Sequence, residues 1–155
     1  MKYISICLVT LLLFQCTTER KTGYVSYIEN KSAHIILLSY YKAGLLSASK
    51  SVTVSPYIVK EVLSTGGMDA VSYPTEIMLN EFDSLVVTFS NKRTAVHYGY
   101  SKLGDNANAI LFENPRNLFN KKNWIEKIIV DKRKRSEKEY RFIFVEQDYL
   151  NAQEL

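Results

Sequence analysis

Residues 83–100 read DSLVVTFSNKRTAVHYGY, and the reading of this stretch sets the fold class. Leu85, Val87 and Phe89 fall on one face of an extended chain, with Val86, Thr88 and Ser90 on the other, because strand side chains alternate with period two. Asn91, Lys92 and Arg93 are turn chemistry, and residues 94–100 return as a partner strand. Ala95, His97 and Gly99 share one face of it and Val96, Tyr98 and Tyr100 the other. Two alternating runs joined by a short polar turn predict a β-hairpin.

Strand signals continue outward. Upstream, residues 24–29 alternate, residues 30–32 (Asn-Lys-Ser) turn, and residues 33–41 (AHIILLSYY) fill both faces as a central strand does. Residues 45–48 and 51–54 are short extended pieces, and Pro56 breaks or edges the second. Residues 57–64 (YIVKEVLS) fit a strand better than two helical turns. Gly66 and Gly67 open a loop towards Pro74, and residues 76–79 (EIML) form a weak element. Downstream, residues 102–123 are rich in Asn, Asp and Gly, which is loop chemistry. The apolar pairs Leu111–Phe112 and Leu118–Phe119 are expected to clip that long loop to the core, and its length marks it as a possible functional surface. Residues 124–130 and 140–145 read as a final hairpin with residues 131–139 as its charged connection, and Asp148 is a candidate N-cap for a closing helical turn. Tyr and β-branched residues are abundant, with eleven Tyr in 155 residues, which suits pleated, half-buried surfaces. The expectation is an all-β fold, a single antiparallel β-sandwich-like domain.

The first sixteen residues carry a different message. Lys2 is a positive head, residues 4–14 are an apolar run broken only by Ser5 and Thr10, and Gln15 and Cys16 precede a polar stretch. This is the layout of a secretory signal peptide, and it is shorter than the ~20 apolar residues a membrane-spanning helix needs. A cysteine directly after the apolar core resembles the lipobox of bacterial lipoproteins. Leu13 stands where that family has Leu, whereas Phe14 and Gln15 replace the small residues usual before the cysteine. The resemblance implies cleavage before Cys16 and a diacylglycerol on its thiol. The expected organisation is a signal peptide over 1–15, a lipidated tether over 16–23 and a β-sandwich-like domain over 24–155. Thr17 follows the cysteine, where Asp would imply inner-membrane retention, so the resemblance favours the outer membrane of the cell envelope. With Cys7 in the leader, Cys16 would be the lone cysteine of the mature chain, unable to form an internal disulfide.

Several residues along the body strengthen the second half of that resemblance. Asn30 and His34 come first, then residues 82–89 (FDSLVVTF), residues 114–120 (NPRNLFN) before Trp124, and a closing Tyr-x-Phe-x-Phe strand leading to residues 146–149 (EQDY). The set is similar to small lipoproteins of unknown function from Bacteroidota-type bacteria. It implies a β-sandwich-like domain and no particular reaction.

Catalytic sets are hard to assemble. A zinc site needs three or four ligands, and the chain has two histidines, His34 and His97. No serine lies in a Gly-x-Ser-x-Gly elbow. No Gly-Lys-Ser/Thr follows Gly66 and Gly67, so they make no phosphate loop. The expectation is no enzyme and no cofactor; an envelope hydrolase using His97 with a nearby carboxylate is the catalytic alternative, and a structural component without ligand the bland one. A net charge of +4 is weak for a nucleic-acid binder. The candidate binding surface is Tyr98 and Tyr100 together with the basic run Lys132, Arg133, Lys134 and Arg135. The expected partners are a membrane, through the lipid at Cys16, and an envelope protein or glycan.

Overall fold

The computed structural model describes residues 21–43, 45–46, 51–67, 73–99, 108–132 and 135–155. The leader, Cys16, Tyr100, Arg133 and Lys134 lie outside the described residues. Among the described residues, eleven strands and two α-helices follow in chain order: β1 Lys21–Asn30, β2 Ile36–Lys42, β3 Leu45–Leu46, β4 Val52–Val54, β5 Val59–Gly67, α1 Pro74–Glu81, β6 Ser84–Phe89, β7 Arg93–Tyr98, β8 Ala109–Ile110, β9 Ile125–Lys132, β10 Arg135–Phe144, α2 Glu146–Asn151 and β11 Gln153–Glu154. One sheet has the order β5-β1-β10-β9. The other runs β11-β7-β6-β2-β3, with β4 also on β2 and β8 also on β7.

The expectation of an all-β, single antiparallel β-sandwich-like domain is corrected by this arrangement. The fold is mixed α/β, with two sheets and two helices. The pairing is mixed too: β1 runs parallel to β10, and β7 parallel to β8. Residues 76–79 belong to α1, whose start is set by Pro74 at its first turn and by Glu76, whose carboxylate accepts the Tyr73 N–H at 3.3 Å. Proline at the first helical positions loses no intrahelical hydrogen bond, and a Glu three residues past the cap satisfies an orphan donor. At the other end Asp148 is not the N-cap of α2; it sits at the third helical position, and its carboxylate accepts the Val145 N–H at 2.8 Å. Residues 131–132 and 135–139, expected in a connection, continue the β9–β10 hairpin, which turns between Lys132 and Arg135. β1 begins at Lys21, within the stretch expected to be tether.

The two sheets bury their inner faces against one another. Tyr24, Ile28, Tyr140, Phe142 and Phe144 come from the first sheet, and Ile36, Leu38, Leu85, Val87, Phe89 and Ala95 from the second. Phe89 meets Phe144 edge-on with ring centres 5.9 Å apart, which ties the layers near the end where β1 and β10 finish. Edge-to-face rings align the positive rim of one with the negative face of the other. Of the two apolar pairs in the long connection, Leu118 and Phe119 enter this core, whereas Leu111 is exposed. At Gly99 an added Cβ would lie 2.8 Å from the tip of the Leu79 side chain of α1, which would have to shift to accommodate it.

The parallel register of β1 and β10 runs from Lys21↔Arg135 to Asn30↔Phe144. Both strands therefore start at one end of the sheet and finish at the other, about 30 Å away for ten residues. Asn30 fastens the finishing end. It is fully buried; its amide N–H groups reach the carbonyls of His34 (2.7 Å), Val54 (3.2 Å) and Ser55 (3.1 Å). Its side-chain oxygen accepts the Ser32 N–H at 3.0 Å and the Ser32 hydroxyl at 2.8 Å. Asn30→Ala strips several buried carbonyls and one N–H of their partner at once. It should cost about 3 kcal/mol, read as a lower urea midpoint with unchanged m value.

Candidate functional site

Two ends of the first sheet differ in chemistry. At the finishing end the loops 31–35, 55–58 and 90–92 gather with α2 around Asn30. The chain takes left-handed backbone there at Tyr57 (φ 60°), Ser90 (φ 48°) and Asn91 (φ 57°). Ser90 and Asn91 close the β6–β7 hairpin, with the Lys92 N–H donating to the Phe89 carbonyl at 2.9 Å. Positive φ at both central residues is what a tight hairpin of this hand requires. Tyr57 follows Pro56 in a turn closed by the Ile58 N–H on the Ser55 carbonyl. In such a turn the residue after proline takes positive φ and glycine is preferred. A tyrosine stands there instead, 72% exposed, beside Ile58 (50%) and Val59 (44%). Ile35 (50%) and Val145 (38%) are exposed on neighbouring segments of the same end.

His34 lies in this region. Its ring stacks on Tyr149 at 3.4 Å, Nε2 is 3.0 Å from Glu146 Oε1, and Nδ1 is 3.4 Å from Ser90 Oγ. Hydroxyl, imidazole and carboxylate thus fall in the order of a nucleophile, base and orienting acid. The Ser90 contact is at the outer limit of hydrogen bonding. The other Glu146 oxygen accepts the Ala33 N–H at 3.2 Å, and Arg93 covers the far side of Tyr149 at 5.0 Å. We read the group as a clasp that holds loop 31–35 to α2.

His97 points into the core from β7. Its Nδ1 accepts the Leu118 N–H at 3.1 Å, so the ring proton of the neutral form sits on Nε2. Burial, reinforced by the Arg116 guanidinium, pushes its pKa down to about 3. The adjoining cavity of about 180 Å³ is lined by Asn108, Asn114, Arg116, Asp148 and Asn151 among others, with no serine, threonine or cysteine among its described lining residues. Asp148 lines it too, but its oxygens take Nε (2.8 Å) and Nη2 (2.5 Å) of Arg116 and the Val145 N–H. A neutral imidazole with Nδ1 occupied is a poor general base at neutral pH. This group orders the long connection.

Asparagine does most of that ordering. Asn117 donates to the Tyr98 (3.0 Å) and Ile110 (2.7 Å) carbonyls, Asn120 to Phe112 (3.1 Å), and Asn123 to Asn114 (3.1 Å) and Asn117 (2.8 Å). Sequence reasoning took three of these residues as loop chemistry and missed that their spacing of three, 114–117–120–123, puts the backbone N–H of each on the carbonyl of the asparagine before it, while the side chains of Asn117, Asn120 and Asn123 reach carbonyls earlier in the chain.

Tyr98 is half-buried on the outer side of β7, and Tyr100 lies outside the described residues. Lys132 and Arg135 close the β9–β10 hairpin at the starting end of β1, far from the Tyr57 end. The structure does not bring Tyr98 and this basic pair together on one strand or one hairpin. At the starting end the buried hydroxyls of Thr22, Tyr24 and Ser26 have no hydrogen-bond partner among the described residues. Burial, then Glu76 and Glu81, pushes the Tyr24 phenol up to about 12. Among the described residues no cluster of His, Cys, Asp and Glu could hold a metal ion, and no helix is long and apolar enough to cross a membrane.

The chain matches no protein-family model, no curated protein and no solved structure. Its site is argued from its residues alone.

His97 is buried neutral, and the unfolded chain takes up a proton on this residue below about 6.5. Acid therefore removes stability as pH falls from about 6.5 to about 3. Nuclear magnetic resonance should show the His97 ring as the Nε2–H tautomer, without titration between pH 5 and 8. A midpoint near 6.5 would contradict the buried neutral assignment.

Proposed function

We propose that this protein is a lipoprotein of the bacterial cell envelope, held in the membrane through Cys16, with the outer membrane favoured, and that the loop end around Tyr57 binds a partner protein. The anchor rests on the leader and its cysteine. The binding role rests chiefly on one observation: an exposed tyrosine held at φ 60° where glycine would fit more easily. L-residues lose roughly 1–2 kcal/mol in that conformation. Residues held against such a cost cluster at functional positions. The surrounding Ile35, Ile58, Val59 and Val145 extend an apolar surface of the kind that partner proteins cover.

β1 leads from the tether to this end, so an anchored chain presents Tyr57 on the side away from Cys16. A reach of about 30 Å lets the loops meet a protein beyond the headgroup layer. Charged Glu29, Lys31 and Arg141 rim the patch in a network linked at 3.3 Å and 3.1 Å, which keeps the exposed apolar area confined.

Tyr57→Gly separates function from folding. Its stability should be equal to wild type or higher by up to about 1 kcal/mol. A photo-crosslinking residue at position 58 of the native, membrane-bound protein should give one discrete protein adduct, and Tyr57→Gly should abolish it. Absence of any adduct from positions 35, 57 and 58 would contradict the binding role and favour a structural component without ligand.

A further inference from the structure

The start of β1, the start of β10 and the end of β9 meet at one edge of the first sheet. Lys21 is the register partner of Arg135, and Arg135 that of Lys132. With strands about 4.8 Å apart, three cationic residues lie side by side within about 10 Å. Arg133 and Lys134, which join Lys132 to Arg135, are basic by sequence, as is Arg20 before Lys21.

This row opposes the rule followed by the rest of the sheet. Glu139 sits opposite Lys127, and Lys138 is paired with Glu126 at 2.6 Å. Arg141 bridges Glu29 and Glu139 at 3.1 Å and 2.6 Å. Among the described strand pairings, only at this end are cations placed directly across from cations, which is unfavourable for strand pairing. Guarding a sheet edge against aggregation needs only a single lysine. Glu137 pairs with Arg135, and Asp131 lies beside Lys132 in sequence; together with Glu19 they leave the cluster with an excess of three positive charges among these nine residues.

The tether fixes what this row can face. Four residues separate Cys16 from Lys21, so β1 starts at most about 18 Å from the lipidated position. Arg135 and Lys132, one and two strands over, lie within about 10 Å of Lys21.

We infer that the row formed by Lys21, Arg135 and Lys132 is a docking surface for an anionic phospholipid bilayer. It acts as a second attachment that turns the domain so that its Tyr57 end points outwards. A single acyl attachment leaves a domain free to tumble, and a polybasic patch next to the lipid adds both affinity and orientation. The inference takes its orientation from the anchored reading above, and the unlipidated chain tests it independently of the anchor.

The described elements and core residues follow residue 20; the chain from residue 16 with Cys16→Ser keeps all of them, and its far-UV circular dichroism is first matched to that of the native protein. It is mixed with vesicles of phosphatidylcholine alone or with added phosphatidylglycerol, and the bound fraction is measured by sedimentation. Binding should need phosphatidylglycerol and be reversed by 0.5 M salt, a condition in which surface charges are screened beyond ~5 Å. Lys132→Gln/Arg135→Gln should lower the partition coefficient about 25-fold, roughly fivefold for each cation, and Lys132→Glu/Arg135→Glu should lower it further. Equal binding to both vesicle types, or binding unchanged by both double variants, overturns the inference. Retention on a soluble polyanion with none on vesicles also overturns it. Mass spectrometry of residue 16 in the native product tests the anchor separately: an unmodified thiol removes the anchor while vesicle binding by the Cys16→Ser chain still stands.

Discussion

The ten-residue parallel register between β1 and β10 is the constraint on which the rest of the molecule depends. Parallel strands cannot be joined by a tight hairpin and need a long crossover. Here the crossover contains every strand of the second sheet except β11, together with α1, so the pairing of the first and tenth strands closes the fold around what lies between them. It also gives the molecule two unlike ends. Chain entry and the basic row share one; Asn30 and the Tyr57 loops share the other.

Each end is held by a different physical term. At the Asn30 end, one buried amide satisfies backbone groups from two segments, residues 32–34 and 54–55, so loops that would otherwise expose orphan carbonyls pack against one another. The His34–Glu146 contact and the Tyr149 stack then fix α2 to the same place. Directly behind these loops, Phe89, Phe142 and Phe144 supply apolar area that brings the sheets together. The cationic end is not stabilised by its own charges and relies on the strands behind it.

Much of this was legible where periodicity was strong. The alternation of Leu85, Val87 and Phe89 and the turn at residues 91–93 gave the β6–β7 hairpin nearly in register, and His97 fell on the buried face with Ala95. Helix α1 was missed because its three apolar residues are adjacent rather than spaced. The legible signal was Pro74 with Glu76 two residues on. The parallel pairing was out of reach: Lys21 and Arg135 are more than a hundred residues apart, and no local pattern encodes such a distant partner. The Tyr57 conformation was equally hidden, since Pro56 announced a turn but not that the residue after it would sit at positive φ.

Because both proposed surfaces inherit their places from that register, a direct test of it weighs most. Spin labels at positions 21 and 135 should broaden one another strongly, as neighbours about 5 Å apart at the backbone. Labels at positions 21 and 57 should show no broadening, being about 30 Å apart. Strong coupling between 21 and 57, with none between 21 and 135, would mean that β1 runs the other way and would place the basic row and the tyrosine loop at the same end.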